Sequence, residues 1–236
     1  MNFGAVYVVG KARHQYPRFF VDQALHSIRS WKRVSDYPIT VCCASEYLSC
    51  FLKEDVDLVK LPEEYLSLPL DAKPQDYPNW EFYRKFFAFR LMPYEVNCFL
   101  DADTEILKDP FLAYDPDYDL SIAQECQADW ENMKFIEMKG FNSGVVIYKN
   151  NNLMRYFFRE AEYDFLYKNE DYYHSDQTSV NTLIREKFKD VLKIKVLDQR
   201  WNVRLPIWNK IKDPHILHAH CINRKEILNQ IIPQWS

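Results

Sequence analysis

Glycine is scarce: four residues in 236, too few and too scattered to build either of the common glycine-rich phosphate loops. Six cysteines are spread along the chain without a CxxC pair, which argues against a thiolate metal site or a dithiol redox motif and fits reduced core thiols in a cytosolic protein. The formal net charge is -4 and no block of like charges stands out, so the basic stripe expected of a nucleic-acid partner is missing. Long hydrophobic runs are lacking too. The opening MNFGAVYVVGKARHQ has only a short apolar stretch before Lys11 and Arg13, too short for a signal sequence or a membrane span. The expectation is a cytoplasmic chain with no integral membrane segment, at most peripheral to a membrane.

What the sequence does have is core-forming material. With 47% hydrophobic residues over 236 positions, it can bury the core of one α/β domain covering residues 1–236. FGAVYVV, YPITVCCA and VDLVKL read as strands, FFVDQALHSIRSWKR as a helix between the first two, from β-branched content and helical spacing respectively. Further along, EFYRKFFAFRLMP is a helix stopped by Pro93, and VNCFL is a strand. DLSIAQE, SGVVIYK, VLKIKVL and HILHAH read as strands, NNLMRYFFREAEYDFLYK and SDQTSVNTLIREKF as helices. The alternation predicts an α/β, Rossmann-like architecture: a mostly parallel central sheet flanked by helices, with right-handed crossovers. Residues 61–79 read as a long surface loop.

In VNCFLDADTEIL the apolar strand stops at Asp101, so Asp101 and Asp103 fall at the carboxyl end of a strand, where open α/β sheets bind ligands. Two carboxylates one residue apart suit a single divalent cation, which in turn binds a diphosphate. FLDADT also fits the DxDxT pattern of haloacid-dehalogenase-like phosphatases, with Asp101 as nucleophile, Asp103 as acid/base and Thr104 beside them. Those enzymes place a second acidic pair after a later apolar strand, whereas Glu170 and Asp171 lie in a polar, tyrosine-rich stretch.

Four segments together carry a resemblance to another family: KFFAFRLMPYEVNCFLDADTEIL, GFNSGVVIYKNN, HSDQTSVN and HILHAHCINR. The sequence resembles the GT-A fold nucleotide-diphospho-sugar transferases, above all the retaining family of glycogenin and the lipooligosaccharide galactosyltransferases. The resemblance implies a glycosyltransferase moving a hexose from a nucleotide sugar, with UDP favoured, to a hydroxyl on a glycan, lipid-linked or protein-linked acceptor, as in polysaccharide biosynthesis. It implies Mn²⁺ or Mg²⁺ at Asp101, Asp103 and His218, with His220 on the same strand face as the competing ligand. Arg84 or Lys85 would reach the nucleotide, and Ala102 lies between the two aspartates. Asn142, Ser143 and Gly144 would line the sugar pocket, Gly144 letting the donor approach the backbone. Asp176 and Gln177 would stand beside the anomeric carbon, with Asn181 on the same helix face as Gln177. Arg224 takes the place of a diphosphate-binding lysine, while Cys221 replaces the family's glycine. The first strand lacks the family's acidic base contact, leaving Val8, Val9 and Gly10 to meet the base through their backbone.

If the retaining family is the right comparison, the acceptor attacks from the leaving-group face near Gln177. An inverting enzyme would need a carboxylate base, for which Asp176 and Glu125 qualify. Aromatic residues are plentiful enough to offer platforms for an acceptor sugar, and Trp130, Trp201 and Trp208 fall in or near loops that could face the site, with no one of them singled out as the stacking residue.

Overall fold

A computed structural model describes residues 1–10, 18–67, 82–129, 134–168, 175–204 and 211–219, with side chains for all of these except 126–129 and 134–139. The strands are β1 (Phe3–Val9), β2 (Ile39–Cys43), β3 (Asp57–Lys60), β4 (Val96–Leu100), β5 (Thr104–Ile106), β6 (Leu120–Asp129), β7 (Lys134–Lys149), β8 (Ile194–Leu197), β9 (Val203–Arg204) and β10 (Ile216–His218). The α-helices are α1 (Phe19–Trp31), α2 (Leu48–Phe51), α3 (Tyr83–Leu91), α4 (Asn152–Tyr163) and α5 (Asp176–Glu186).

Seven strands form the central sheet in the order β3-β2-β1-β4-β7-β6-β8. β1 pairs in parallel with β2 and β4, β2 with β3, and β6 with β8. Only β7 runs against its neighbours, β4 and β6. The connection from β6 to β7 spans residues 130–133; so short a link joins antiparallel strands, because a parallel pair needs a crossover of a dozen residues or more. The sheet is thus mostly parallel, and β6 and β7 run longer than DLSIAQE and SGVVIYK suggest.

Period-two alternation splits each central strand between two cores. Ala5, Tyr7 and Val9 of β1, with Cys98 and Leu100 of β4 and Val145 and Ile147 of β7, pack on the side of α1. Val6, Phe99, Val146 and Tyr148 pack on the other, against α3, α4 and α5. With both faces covered, these strands read as continuous apolar runs, as buried parallel sheets do. Much of the aromatic content is spent here: Phe89 stacks on Phe158 with centroids 4.6 Å apart, and Phe99 approaches Phe89 to 4.5 Å. Cys42, Cys43, Cys50 and Cys98 are unpaired thiols, and burial pushes Cys42 and Cys43 up in pKa, so both stay protonated and inert.

Two features build the site end of the sheet. A chain of buried hydroxyls fastens the turn after β4 to α1: Tyr7 Oη meets Ser27 Oγ at 3.0 Å, Ser27 Oγ meets Thr104 Oγ1 at 2.7 Å, and Thr104 donates to the Asp101 carbonyl at 2.8 Å. A second sheet, β5-β10-β9, then carries the late strand back over this turn. His218 pairs with Thr104 across β10 and β5, and the Ala219 N–H donates to the Asp103 carbonyl at 2.8 Å.

At the other edge of the site, β6 and β7 shift register between Ile122 and Ala123, the mark of a bulge. Asn181 of α5 serves the backbone there: its Oδ1 accepts from the Phe141 N–H at 2.7 Å, and its Nδ2 donates to the Phe141 carbonyl at 2.8 Å and to the Gln177 carbonyl at 2.8 Å. Asn181 therefore clamps α5 to β7. Substituting Asn181→Ala is expected to cost about 1–3 kcal/mol, the usual consequence of stranding part-buried backbone groups; a urea midpoint unchanged from the parent would refute the clamp.

Candidate active site

Asp101 and Asp103 follow β4, as the apolar run before them predicts, and β10 delivers His218 to the same point. The three offer ligating atoms that all lie within 4.8 Å of one another. His218 Nε2 stands 3.1 Å from Asp103 Oδ1 and 3.6 Å from Asp101 Oδ2. Burial pushes the His218 imidazole down in pKa, but Asp103 and then Asp101 outweigh it, so the ring sits above its ordinary value. Burial pushes the Asp101 carboxyl up, against the pull of Lys85 and His218.

Lys85 of α3 binds Asp101 at 2.8 Å and Asp176 at 3.3 Å. Burial works against its ammonium, yet the two carboxylates hold its pKa well above the ordinary lysine range. Lys85 is thus a fixed positive charge between two acids rather than a side chain reaching freely outward. Its neighbour Arg84 lies against Gly10: a Cβ on Gly10 would fall 2.1 Å from the guanidinium nitrogen. The Arg84 guanidinium thus fills the space beside Gly10. Val9 is fully buried in the α1-side core, Val8 is half-buried against the opposite one, and Ala102 is half-buried against the first.

The Asn142–Ser143–Gly144 segment sits on β7 beside β4. Ser143 Oγ donates to Asp176 Oδ2 at 2.6 Å, and the Asp101 N–H donates to the Gly144 carbonyl at 2.8 Å. A Cβ on Gly144 would lie 2.3 Å from His218 Cε1 and 2.7 Å from Asp101 Oδ2. The space beside Gly144 is therefore filled by the His218 ring and the Asp101 carboxylate, where the sequence suggested an approaching donor.

Asp176 and Gln177 open α5 behind the N-cap Ser175, so the cap and the polar pair coexist there. Asp176 is buried with Lys85 and Ser143, and Gln177 Nε2 donates to Glu125 Oε2 at 2.5 Å. Glu125 also receives Asn142 Nδ2 at 3.0 Å and pairs with Arg204. Arg204 and the nearby Asn202, whose Oδ1 lies 2.9 Å from His218 Nδ1, are absent from the sequence-based candidates. The one signal for them was RWNVR, two polar residues bracketing Val203 beside a late strand.

Two expectations change. Trp201 is buried edge-on against His215, with centroids 4.2 Å apart, so it is no platform for an acceptor sugar. Thr104 is fully buried and its hydroxyl is held by Ser27 and the Asp101 carbonyl, turned toward α1 instead of joining Asp101 and Asp103 as the phosphatase reading needs. Arg224, His220, Cys221, Glu170, Asp171, Trp130 and Trp208 lie outside the described residues.

A model of the nucleotide-diphospho-sugar transferase family matches residues 94–227, more than half of the chain and every segment from β4 to past β10. The chain belongs to the nucleotide-diphospho-sugar transferases. This transferase has no significant match among curated proteins. Among solved structures, it is similar to the galactosyltransferase LgtC in complex with donor and acceptor sugar analogs: 12% identity, 96% of this chain and 94% of that one, TM-score 0.60. Apo GlyE, a glycosyltransferase of Streptococcus pneumoniae TIGR4, gives 16% identity over 99% of this chain and 63% of that one, TM-score 0.59. The inositol-1-phosphate CTP transferase from T. maritima gives 9% identity over 99% of this chain and 97% of that one, TM-score 0.56. Such identities speak for the GT-A fold alone. That fold also serves a CTP transferase, so it does not choose the chemistry; the family does, and the transferase is a glycosyltransferase with a nucleotide-sugar donor.

Proposed function

We propose that residues 1–236 form one catalytic domain that moves a hexose from a UDP-sugar to a glycan hydroxyl, with retention, and binds Mn²⁺ or Mg²⁺ at Asp103, His218 and Asp101. The observation that carries this reading is the meeting of those three side chains at the carboxyl end of β4, in a chain of this family. The donor set fits a divalent cation: two carboxylates and an imidazole whose Nε2 faces them. Asp103 and His218 would hold the ion, with Asp101, which Lys85 also binds, joining directly or through water. When bound, such a cation supplies Lewis-acid charge against the departing diphosphate.

The chain's own groups do the rest. The backbone of Val8, Val9 and Gly10, with Arg84 and Ala102, would meet the nucleotide. Asn142, Ser143 and Gly144 shape its floor, and Arg224 takes the diphosphate in the manner of the family's lysine. Lys85 bridges Asp101 and Asp176, and Ser143 holds Asp176 beside Gln177, where the sugar would lie. The acceptor oxygen forms its bond to C1 as the C1–phosphate bond breaks, and the leaving phosphate takes the hydroxyl proton. Retention is favoured by the state of the two carboxylates an inverting mechanism would enlist. Glu125 is tied to Arg204, Gln177 and Asn142, and Asp176 to Lys85 and Ser143, so each carboxylate is already held by partners within this chain.

The acceptor in this reading is a glycan, free, lipid-linked or protein-linked, as in surface polysaccharide synthesis, and the setting is cytoplasmic or at a membrane surface. No helix among the described residues is long and apolar enough to cross a membrane. The test is to incubate the protein with UDP-, GDP- and ADP-sugars, with Mn²⁺ or with chelator. Metal-dependent release of UDP is expected, and an unchanged anomeric configuration in the product. Release of phosphate from a generic phosphoester, surviving His218→Ala but not Asp101→Asn, would refute it.

A further inference from the structure

The hydrogen bonds behind His218 leave little choice about where its proton sits. The Gly144 backbone N–H, which can only donate, lies 2.8 Å from one end of the Asn142 amide and so makes that end the oxygen. The other end is then the nitrogen, and it meets the Glu125 carboxylate, which can only accept when ionised. Asn142 Oδ1 also faces the Asn202 amide at 2.7 Å, so Asn202 presents its nitrogen there and its oxygen to His218 Nδ1 at 2.9 Å. An oxygen at that distance requires a proton on Nδ1. Nε2 faces Asp103 and Asp101; it donates to them while no cation is bound, and a cation that displaces that proton would meet its lone pair.

We infer that Asn202 is a positioning residue of this transferase: it fixes the Nδ1–H tautomer and ring orientation of His218, with its own orientation set through Asn142 by the Gly144 backbone and by Glu125. Asn202, Asn142, Glu125 and His218 are all buried, so water does not compete for these bonds. Arg204 closes the far end by neutralising Glu125. Outer partners of this kind typically alter metal affinity by about 10–100-fold, because a ring free to flip or change tautomer presents its lone pair only part of the time. The inference rests on the metal reading for its consequence, but the tautomer can be measured without any metal.

The experiment has two arms. In ¹⁵N-histidine-labelled, metal-free protein, with the signal assigned from the His218→Gln spectrum, Nδ1 should carry a proton donated to Asn202. Asn202→Leu should shift the tautomer balance, and Asn202→Asp, which keeps an acceptor, should restore it. In the second arm, Mn²⁺ titrated into metal-free protein by calorimetry should bind Asn202→Leu about 10–100-fold more weakly than the parent, with Asn202→Asp much closer to it. An Nδ1 without a proton in the parent protein overturns the inference whether or not any variant folds. So does an Asn202→Leu protein with parental tautomer and affinity. If the parent binds no Mn²⁺ but shows Nδ1–H, the metal reading fails while the assignment of Asn202 stands.

Discussion

Changing Asp103→Asn is expected to leave the fold in place and lower donor turnover by about 1,000-fold, equivalent to about 4 kcal/mol of transition-state stabilisation. The backbone around Asp103 is fixed by Thr104, by Ser27 and by the bond from Ala219 N–H to the Asp103 carbonyl, none of which involves the carboxylate. What the carboxylate does is face His218 Nε2 at 3.1 Å, and an amide there offers a metal a weaker neutral oxygen. The companion readout is thermal. A ligand at 100 times its dissociation constant stabilises the native state by about 2.7 kcal/mol, so Mn²⁺ should raise the melting temperature of the parent and leave that of Asp103→Asn unmoved. A variant that keeps both the Mn²⁺ shift and its turnover would remove Asp103 from the site.

Much of this architecture was legible because its signals are local. The apolar run VNCFL ending at Asp101 reads as a strand, and it is one in the structure. Ser175 before Asp176 reads as a helix cap and is one. The elements that escaped are those whose stability is not local. β5 and β9 are three and two residues long, below any periodicity, and exist because β10 pairs with both. Asn202 escaped for the same reason: its meaning lies in Asn142, Glu125 and His218, brought together by strands far apart in sequence. Thr104 shows the converse. Its place in FLDADT fits a phosphatase motif, and only the Ser27 hydroxyl on α1 shows that it serves packing.

Local sequence also misled at the glycines, in a way that yields the sharpest steric prediction. Glycine after Asn-Ser suggests backbone freedom or a ligand pressed close, yet no described glycine has a positive φ, so conformational licence is not why Gly144 is glycine. Space is. Its carbonyl accepts the Asp101 N–H and its N–H orients Asn142, which places the α-carbon directly beside the two side chains those bonds help arrange. In Gly144→Ala the new methyl would lie 2.3 Å from His218 Cε1 and 2.7 Å from Asp101 Oδ2. Neither neighbour is the loose end of a flexible chain: Asn202 holds the ring and Lys85 holds the carboxylate. Either β7 moves away from β4 or His218 leaves its partners. Overpacking of this sort costs about 1–3 kcal/mol, and a ring displaced from Asn202 should weaken Mn²⁺ binding on the order of 100-fold. Denaturant unfolding and Mn²⁺ titration of Gly144→Ala separate the two routes. A destabilised protein with parental Mn²⁺ affinity means that the strands absorb the methyl, and a stable protein with none means that the histidine does. A variant matching the parent in both would show that His218 does not occupy the space beside Gly144.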